Sequence, residues 1–334
     1  MKKVFLALFM LCVCSYFAQA QNKQGSNSSK EAKDKTLPGV MAQQIVKNMV
    51  RVPGGYFWMG TAGNSKKETL KHASPRHYVN VTDFYICKYE VTQEEYEAIM
   101  GASANHSAVK GKDLPVTNVS WNEAQQFCKM LHSLTGQNFQ LPTEAQWEFA
   151  ARGGEWVNTD NALYSGSGKL SEIASCWYNT EFYFKNGSDS RKARKAMEEG
   201  HAAITGSYKE KLEKTEKWDA EHGLKPRTRS WVKANIKPNH LGIYDMSGNV
   251  SEWCYDGYEN HYQSGNQVNP KVSKGDARVY RGGSYLTSTE VESEYENMAL
   301  VYNRESTHGT AKDALGRPGK KTLGFRVAIW IKQK

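Results

Sequence analysis

Three features of this sequence predict an α+β domain with much irregular backbone. Apolar residues alternate through two stretches between residues 49 and 92, three helix-starting boxes follow, and beyond Gly154 the chain turns to aromatics, turns and short strands. Taken in order, MVRVPGGYFWMG (Met49 to Gly60) alternates around Gly54-Gly55, which predicts a hairpin. HYVNVTDFYICKYEVT continues the alternation as further strands. Thr92-x-x-Glu95, Ser120-x-x-Glu123 and Thr143-x-x-Gln146 are capping boxes, in which a hydroxyl and a carboxylate or amide satisfy early helix amides. The last two helices are expected to stop at Gly136 and Gly153, since glycine relaxes readily into the left-handed turn that ends a helix.

Ahead of this domain, Met1-Lys2-Lys3, an apolar run from Val4 to Phe17 and Ala18-Gln19-Ala20 describe a secretory signal peptide over residues 1–20, cleaved after Ala20. The run is too short to span a bilayer, so the expected location is periplasmic, outer-membrane-associated or secreted, with a lipid anchor at Cys12 or Cys14 as the alternative. Residues 21–48 are polar, rich in Ser and Lys and poor in aromatics, and are read as a flexible tether. The folded domain then occupies 49–334. Removing Lys2 and Lys3 takes the formal net charge from +9 to +7, a basic balance that serves solubility in the absence of any nucleic-acid motif.

Four cysteines remain after cleavage: Cys87, Cys128, Cys176 and Cys254. In an oxidising compartment they permit two disulfides in three pairings, and four buried thiols are the alternative. No C-x-x-C supports a zinc ribbon or a thioredoxin-type site. Nor do the nine histidines include H-E-x-x-H, and G-x-S-x-G is absent.

Chemistry concentrates in LGIYDMSGNVSEWCYD (Leu241 to Asp256). Ser247-Gly248-Asn249 marks a turn, around which carbonyls and the Asp245 and Glu252 carboxylates offer several oxygens of the kind Ca2+ takes. A turn capped by Asp and Asn beside a surface Glu is the alternative. With LPTEAQWEFAARGG before it and RVYRGGSY and LGFRVA after it, the stretch resembles the formylglycine-generating, or sulfatase-modifying-factor, family, from about Val52 to Ile331. The resemblance implies a single C-type-lectin-like domain. It also implies a structural calcium site made by the Asp245 side chain, the Gly248 and Val250 carbonyls and the Glu252 carboxylate.

The catalytic chemistry does not transfer. Catalytic members carry two copper-binding redox cysteines at positions held here by Thr287 and Glu292, so no copper is expected. The family's active-site tryptophan is Ser251 here, while Ser284 and Tyr285 retain the pocket block. Beside the lost thiols, Glu290, Glu292, Glu294 and Glu296 alternate as an acidic ridge or a solvated edge. Residues 181–230 interrupt the match with charged, helix-favouring sequence, a surface insertion suited to a partner or simply to solvent.

The sequence therefore predicts a noncatalytic envelope binding or scaffold protein with a protein or glycan partner. It resembles the cysteine-free members of gliding and type IX secretion machinery. The alternative is a metal-dependent oxidase-type enzyme of the same family, working without the cysteine pair.

Overall fold

In the computed structural model, described residues are 36–61, 72–155, 163–168, 173, 183–184, 224–225, 237–285, 299–308 and 322–331. The three boxes open helices as expected. Glu95 N donates to Thr92 Oγ1 (3.2 Å) and Thr92 N to Glu95 Oε2 (2.9 Å), starting α2 (Gln93–Met100). The same reciprocal bonds start α3 (Trp121–Thr135) at Ser120 and α4 (Glu144–Ala151) at Thr143. Gly136, at φ 74°, closes α3, whereas α4 is capped by Arg152, one residue before the expected Gly153.

The tether reading is corrected over its last third. Leu37–Lys47 is a helix, α1, capped by Thr36, whose hydroxyl accepts from Gly39 N at 3.2 Å. Gly39, Ala42 and Ile45 recur every three residues and are buried. Ala42 and Ile45 join the core shared with Tyr96, Phe127, Leu131 and Phe325. Averaging composition across 21–48 hid this short apolar stripe behind the Ser- and Lys-rich half. The expected signal peptide, residues 1–20, falls outside the described residues.

The predicted hairpin also resolves differently. β1 (Met49–Val52) pairs with β4 (Phe84–Cys87), while β2 (Gly55–Met59) pairs with β3 (His77–Val81). The chain crosses from one sheet to the other at Pro53-Gly54. Gly54 N donates to Asp83 Oδ1 at 2.8 Å, and a Cβ on Gly54 would stand 2.5 Å from Val81 O. The glycine serves a close crossing rather than a tight turn.

The remaining strands are β5 (Phe139–Gln140), β6 (Tyr183–Phe184), β7 (Leu224–Lys225), β8 (Ser251–Gly257), β9 (Gln267–Val268), β10 (Ala277–Arg281), β11 (Glu305–His308), β12 (Leu323–Gly324) and β13 (Ala328–Trp330). They form sheets ordered β1-β4-β13-β5, β11-β10-β8-β12 and β2-β3-β9. β6 and β7 pair as an antiparallel ribbon, so the chain returns to itself across most of the 181–230 insertion. The rest of that insertion lies outside the described residues.

All eight residues of α4 are buried, so its face carries no solvent-facing stripe. A helix buried all round must have every charge answered from its surroundings, and this requirement shapes the site described below. Among the described residues, no helix is long and apolar enough to cross a membrane.

We expect Ile45→Ala to lower the unfolding free energy by about 2–5 kcal/mol. Val40→Ala, on the exposed side of α1, should change it by less than about 0.5 kcal/mol. Urea titration separates the two, and equal small effects would return residues 37–47 to the tether.

Candidate functional site

The turn from Asp245 to Asn249 is held in a backbone shape that few residues tolerate. Asp245 and Asn249 take φ 56° and 58°, and Gly248 takes 114°. Asp and Asn tolerate the left-handed region better than other side-chain-bearing residues, and glycine is free of its penalty. Three neighbours pin the turn. Gly248 N donates to Gly282 O (2.7 Å), Tyr285 N to Asn249 O (2.6 Å) and Ser247 Oγ to Ala299 O (2.8 Å). Asn249 Nδ2 donates to both oxygens of buried Glu90 at 2.9 Å.

Glu252 does not lie on the surface. It is fully buried, and Arg326 grips it with two donors, Nε to Oε2 at 2.7 Å and Nη2 to Oε1 at 2.6 Å. Trp147 Nε1 adds a bond to Oε2 at 2.7 Å. Arg326 also donates to the carbonyls of Cys87 and Lys88 (3.1 Å each) and of Tyr244 (2.9 Å). One guanidinium thus joins the end of β4, the approach to the turn, and β8.

These contacts bear on the predicted calcium ligands. Asp245 is buried beside the turn, but Glu252 already accepts three bonds from the protein. Glu90 was not foreseen. Burial, then the neighbouring Asp245 charge, push its carboxyl well above the usual carboxylate range; Arg326 opposes the rise and Glu252 adds to it. The residues therefore place negative charge where a divalent cation would relieve it. Among the described residues, however, no three acidic, histidine or cysteine side chains converge at metal-binding distance. A cation here would rest largely on carbonyl oxygens.

At the family's catalytic position, Ser251 Oγ donates to Gly283 O at 2.9 Å and Ser251 N to Thr322 O at 2.7 Å. Ser284 is buried nearby, and Tyr285 is tied to Asn249. The crevice between Ser251, Tyr280, Arg281, Gly282 and Gly283 leaves 0 Å³ for a water-sized molecule. Thr287, Glu292 and the rest of the acidic ridge lie outside the described residues.

A buried ionic chain starts beside this crevice and runs along α4. Arg152 Nη2 binds Glu148 Oε1 at 2.7 Å, and Arg281 Nη2 binds Glu148 Oε2. Arg281 Nε lies 3.6 Å from Glu144, which Arg304 clamps with both Nε and Nη2 at 2.7 Å. Burial alone would raise the Glu148 carboxyl, but the Arg152 and Arg281 charges outweigh it and hold it low. The chain ends at a cavity of about 220 Å³ of mixed character, lined in part by Met59, His77, Glu144, Asp256, Lys271 and Arg304. Burial and the Glu144 charge push the Asp256 carboxyl up to about 7.

Cys87, Cys128 and Cys254 are buried free thiols, so the disulfide alternative fails for these three; Cys176 lies outside the described residues. Burial pushes the Cys87 thiol up to about 12, far from thiolate chemistry.

A turn-built site on mixed sheets defines a lectin-like α+β scaffold. The chain belongs to the sulfatase-modifying factor enzyme 1-like domain family, which it matches over residues 34–331. It is 29% identical to chaperone protein LppX of Paenibacillus barcinonensis, over 72% of this chain and 79% of that protein. It is 25% identical to the formylglycine-generating enzyme of Bos taurus, over 93% and 82% respectively. Treponema denticola variable protein 1 shares the fold at a TM-score of 0.56 and 23% identity, over 84% of this chain and 94% of that one.

Removing one member of the Glu252–Arg326 pair should destabilise the fold by about 3–5 kcal/mol, because the other is left charged and buried. Glu252→Gln with Arg326→Met should cost clearly less than the sum of the singles. Additive denaturant midpoints would show that the two side chains do not depend on one another.

Proposed function

We propose that this is a noncatalytic binding or scaffold protein of the cell envelope, exported by its N-terminal signal and stabilised by calcium. The filled crevice carries the reading. Where catalytic relatives need space for a substrate and two thiolates for copper, Ser251 closes onto Gly283, and Thr287 and Glu292 supply no sulfur. Kinship to a protein named as a chaperone supports a role that works by holding another macromolecule. The insertion between β6 and β7 is a natural place for that contact, because long excursions on a rigid scaffold often carry specificity.

The test is direct. The full chain, loaded with copper and offered a cysteine-containing sulfatase peptide under oxygen, should form no aldehyde by mass spectrometry. Turnover would sink the noncatalytic reading.

Calcium, in this reading, sits at the turn on Asp245 and the carbonyls of Gly248 and Val250, next to Glu90 and with Glu252 mainly committed to Arg326. Its part is structural, offsetting the burial, and the Asp245 charge next to it, that hold Glu90 high. Asp245→Ala should abolish a calcium-induced rise in melting temperature while changing the chelated protein little. The idea is lost if wild type and variant shift equally with calcium and with chelator.

A further inference from the structure

Away from the turn, five elements bring three aromatic rings and two cations into one strip. Trp121 opens α3, Tyr255 lies on β8 and Trp330 ends β13. Ring centroids step 6.1 Å from Trp121 to Tyr255 and 5.0 Å on to Trp330, each contact edge-on at 63°. Both indoles are anchored inward, Trp121 Nε1 to Cys254 O at 2.8 Å and Trp330 Nε1 to Leu141 O at 3.2 Å. Arg278 lies over Trp121 at 4.1 Å, and Lys271 lies over Trp330 and Tyr255 at 5.0 and 5.5 Å.

Neither cation is ion-paired among the described residues. Arg278 Nη1 reaches only the carbonyls of Tyr255 and Ser273, at 3.4 Å each. A ring face orients a cation but does not neutralise its charge. The strip therefore presents two fixed positive groups whose charge is still open to an anionic partner.

Deepening the binding reading above, we propose that this strip and the cavity beside it bind an anionic polysaccharide of the uronic acid class. Lys271 belongs to both features, lining the 220 Å³ cavity while seated on the rings. The cavity is below the roughly 300–1,000 Å³ of drug-sized sites and suits one small polar unit. Glu144 and Arg304 in its lining are spent on each other, and Asp256 on two backbone amides, while Gln263, Gln267 and Lys271 bring further donors and acceptors. A hydroxyl-rich sugar, which both donates and accepts, satisfies such a lining. A carboxylate entering it would meet Glu144, Asp256 and Glu259, so the unit that enters presents its hydroxyls and leaves its charge to the strip. Single-stranded nucleic acid fits less well, because bases need open ring faces, and here cations and neighbouring ring edges occupy them. The carboxylates of successive sugars would then fall on Lys271 and Arg278.

The experiment uses the full chain with three probes: polygalacturonate oligomers, neutral dextran oligomers and single-stranded DNA, read by tryptophan fluorescence and calorimetry at several salt concentrations. The uronate should bind, weaken as salt rises, and bind more tightly than the other two. Lys271→Gln with Arg278→Gln should weaken binding by at least about tenfold and flatten the salt dependence by roughly two counterions, by analogy with other polyanions. Lys271→Arg with Arg278→Lys, which keeps both charges, should stay within about threefold of wild type on the same argument. Absence of uronate binding, equal binding of dextran, tighter binding of DNA, or an unaffected glutamine variant would each overturn the proposal. None of these results bears on aldehyde formation, so the noncatalytic reading stands or falls separately.

Discussion

The bond between Glu252 and Arg326 is the constraint on which the rest of this structure depends. Both side chains are fully buried, and 74 residues of sequence separate them. A buried ion pair is weak evidence of net stability, since desolvation offsets much of the attraction. Its value here is geometric. Arg326 also donates to the carbonyls of Cys87, Lys88 and Tyr244, so no one of those segments can shift without leaving a buried donor unmet. A backbone with so little regular structure lacks the repeating bonds that ordinarily fix a chain, and a five-donor side chain substitutes for them.

α4 poses the same problem one layer away. A helix that reads EAQWEFAA and is buried on every side places two carboxylates in the interior. Arg152 at the helix's own C-terminus and Arg281 and Arg304 from far along the chain answer them, and the result is one ionic chain from the closed crevice to the open cavity. Removing Arg304 strips Glu144 of its two-donor clamp, and removing Arg152 or Arg281 leaves Glu148 with a single arginine. The scaffold's integrity therefore rests on residues other than those that would perform an oxidation.

Much of the helical half was legible in the sequence because capping boxes are local: three residues suffice, and the reciprocal bonds at Thr92, Ser120 and Thr143 follow. The ordered blocks made the fold legible too. What escaped is what depends on distance. Gly54-Gly55 looks like a hairpin until β3 and β4 claim the two flanking strands. The stripe of Gly39, Ala42 and Ile45 is too short to stand out from its polar surroundings until the core closes over it. Glu252 read as a metal ligand because its partner arginine, though visible in LGFRVA, carries no label saying which carboxylate it will meet. Glu90 carried no signal at all, since its importance comes entirely from Asn249 and Asp245 across the fold.

The cations at Lys271 and Arg278 differ from the buried arginines in a way that matters for function. Arg281, Arg304 and Arg326 each close on a carboxylate, because an unanswered charge inside the protein would cost several kcal/mol on the order of the usual burial penalty. Nothing of that kind is demanded where water remains within reach, and there the chain has instead rested its cations on ring faces. Such seats fix direction without supplying a counter-charge. The molecule thus divides its positive charge in two: one part consumed in holding irregular backbone together, the other held still and left unspent at the surface. The proposed recognition draws on that second part, because the first is already spent on the fold's own carboxylates.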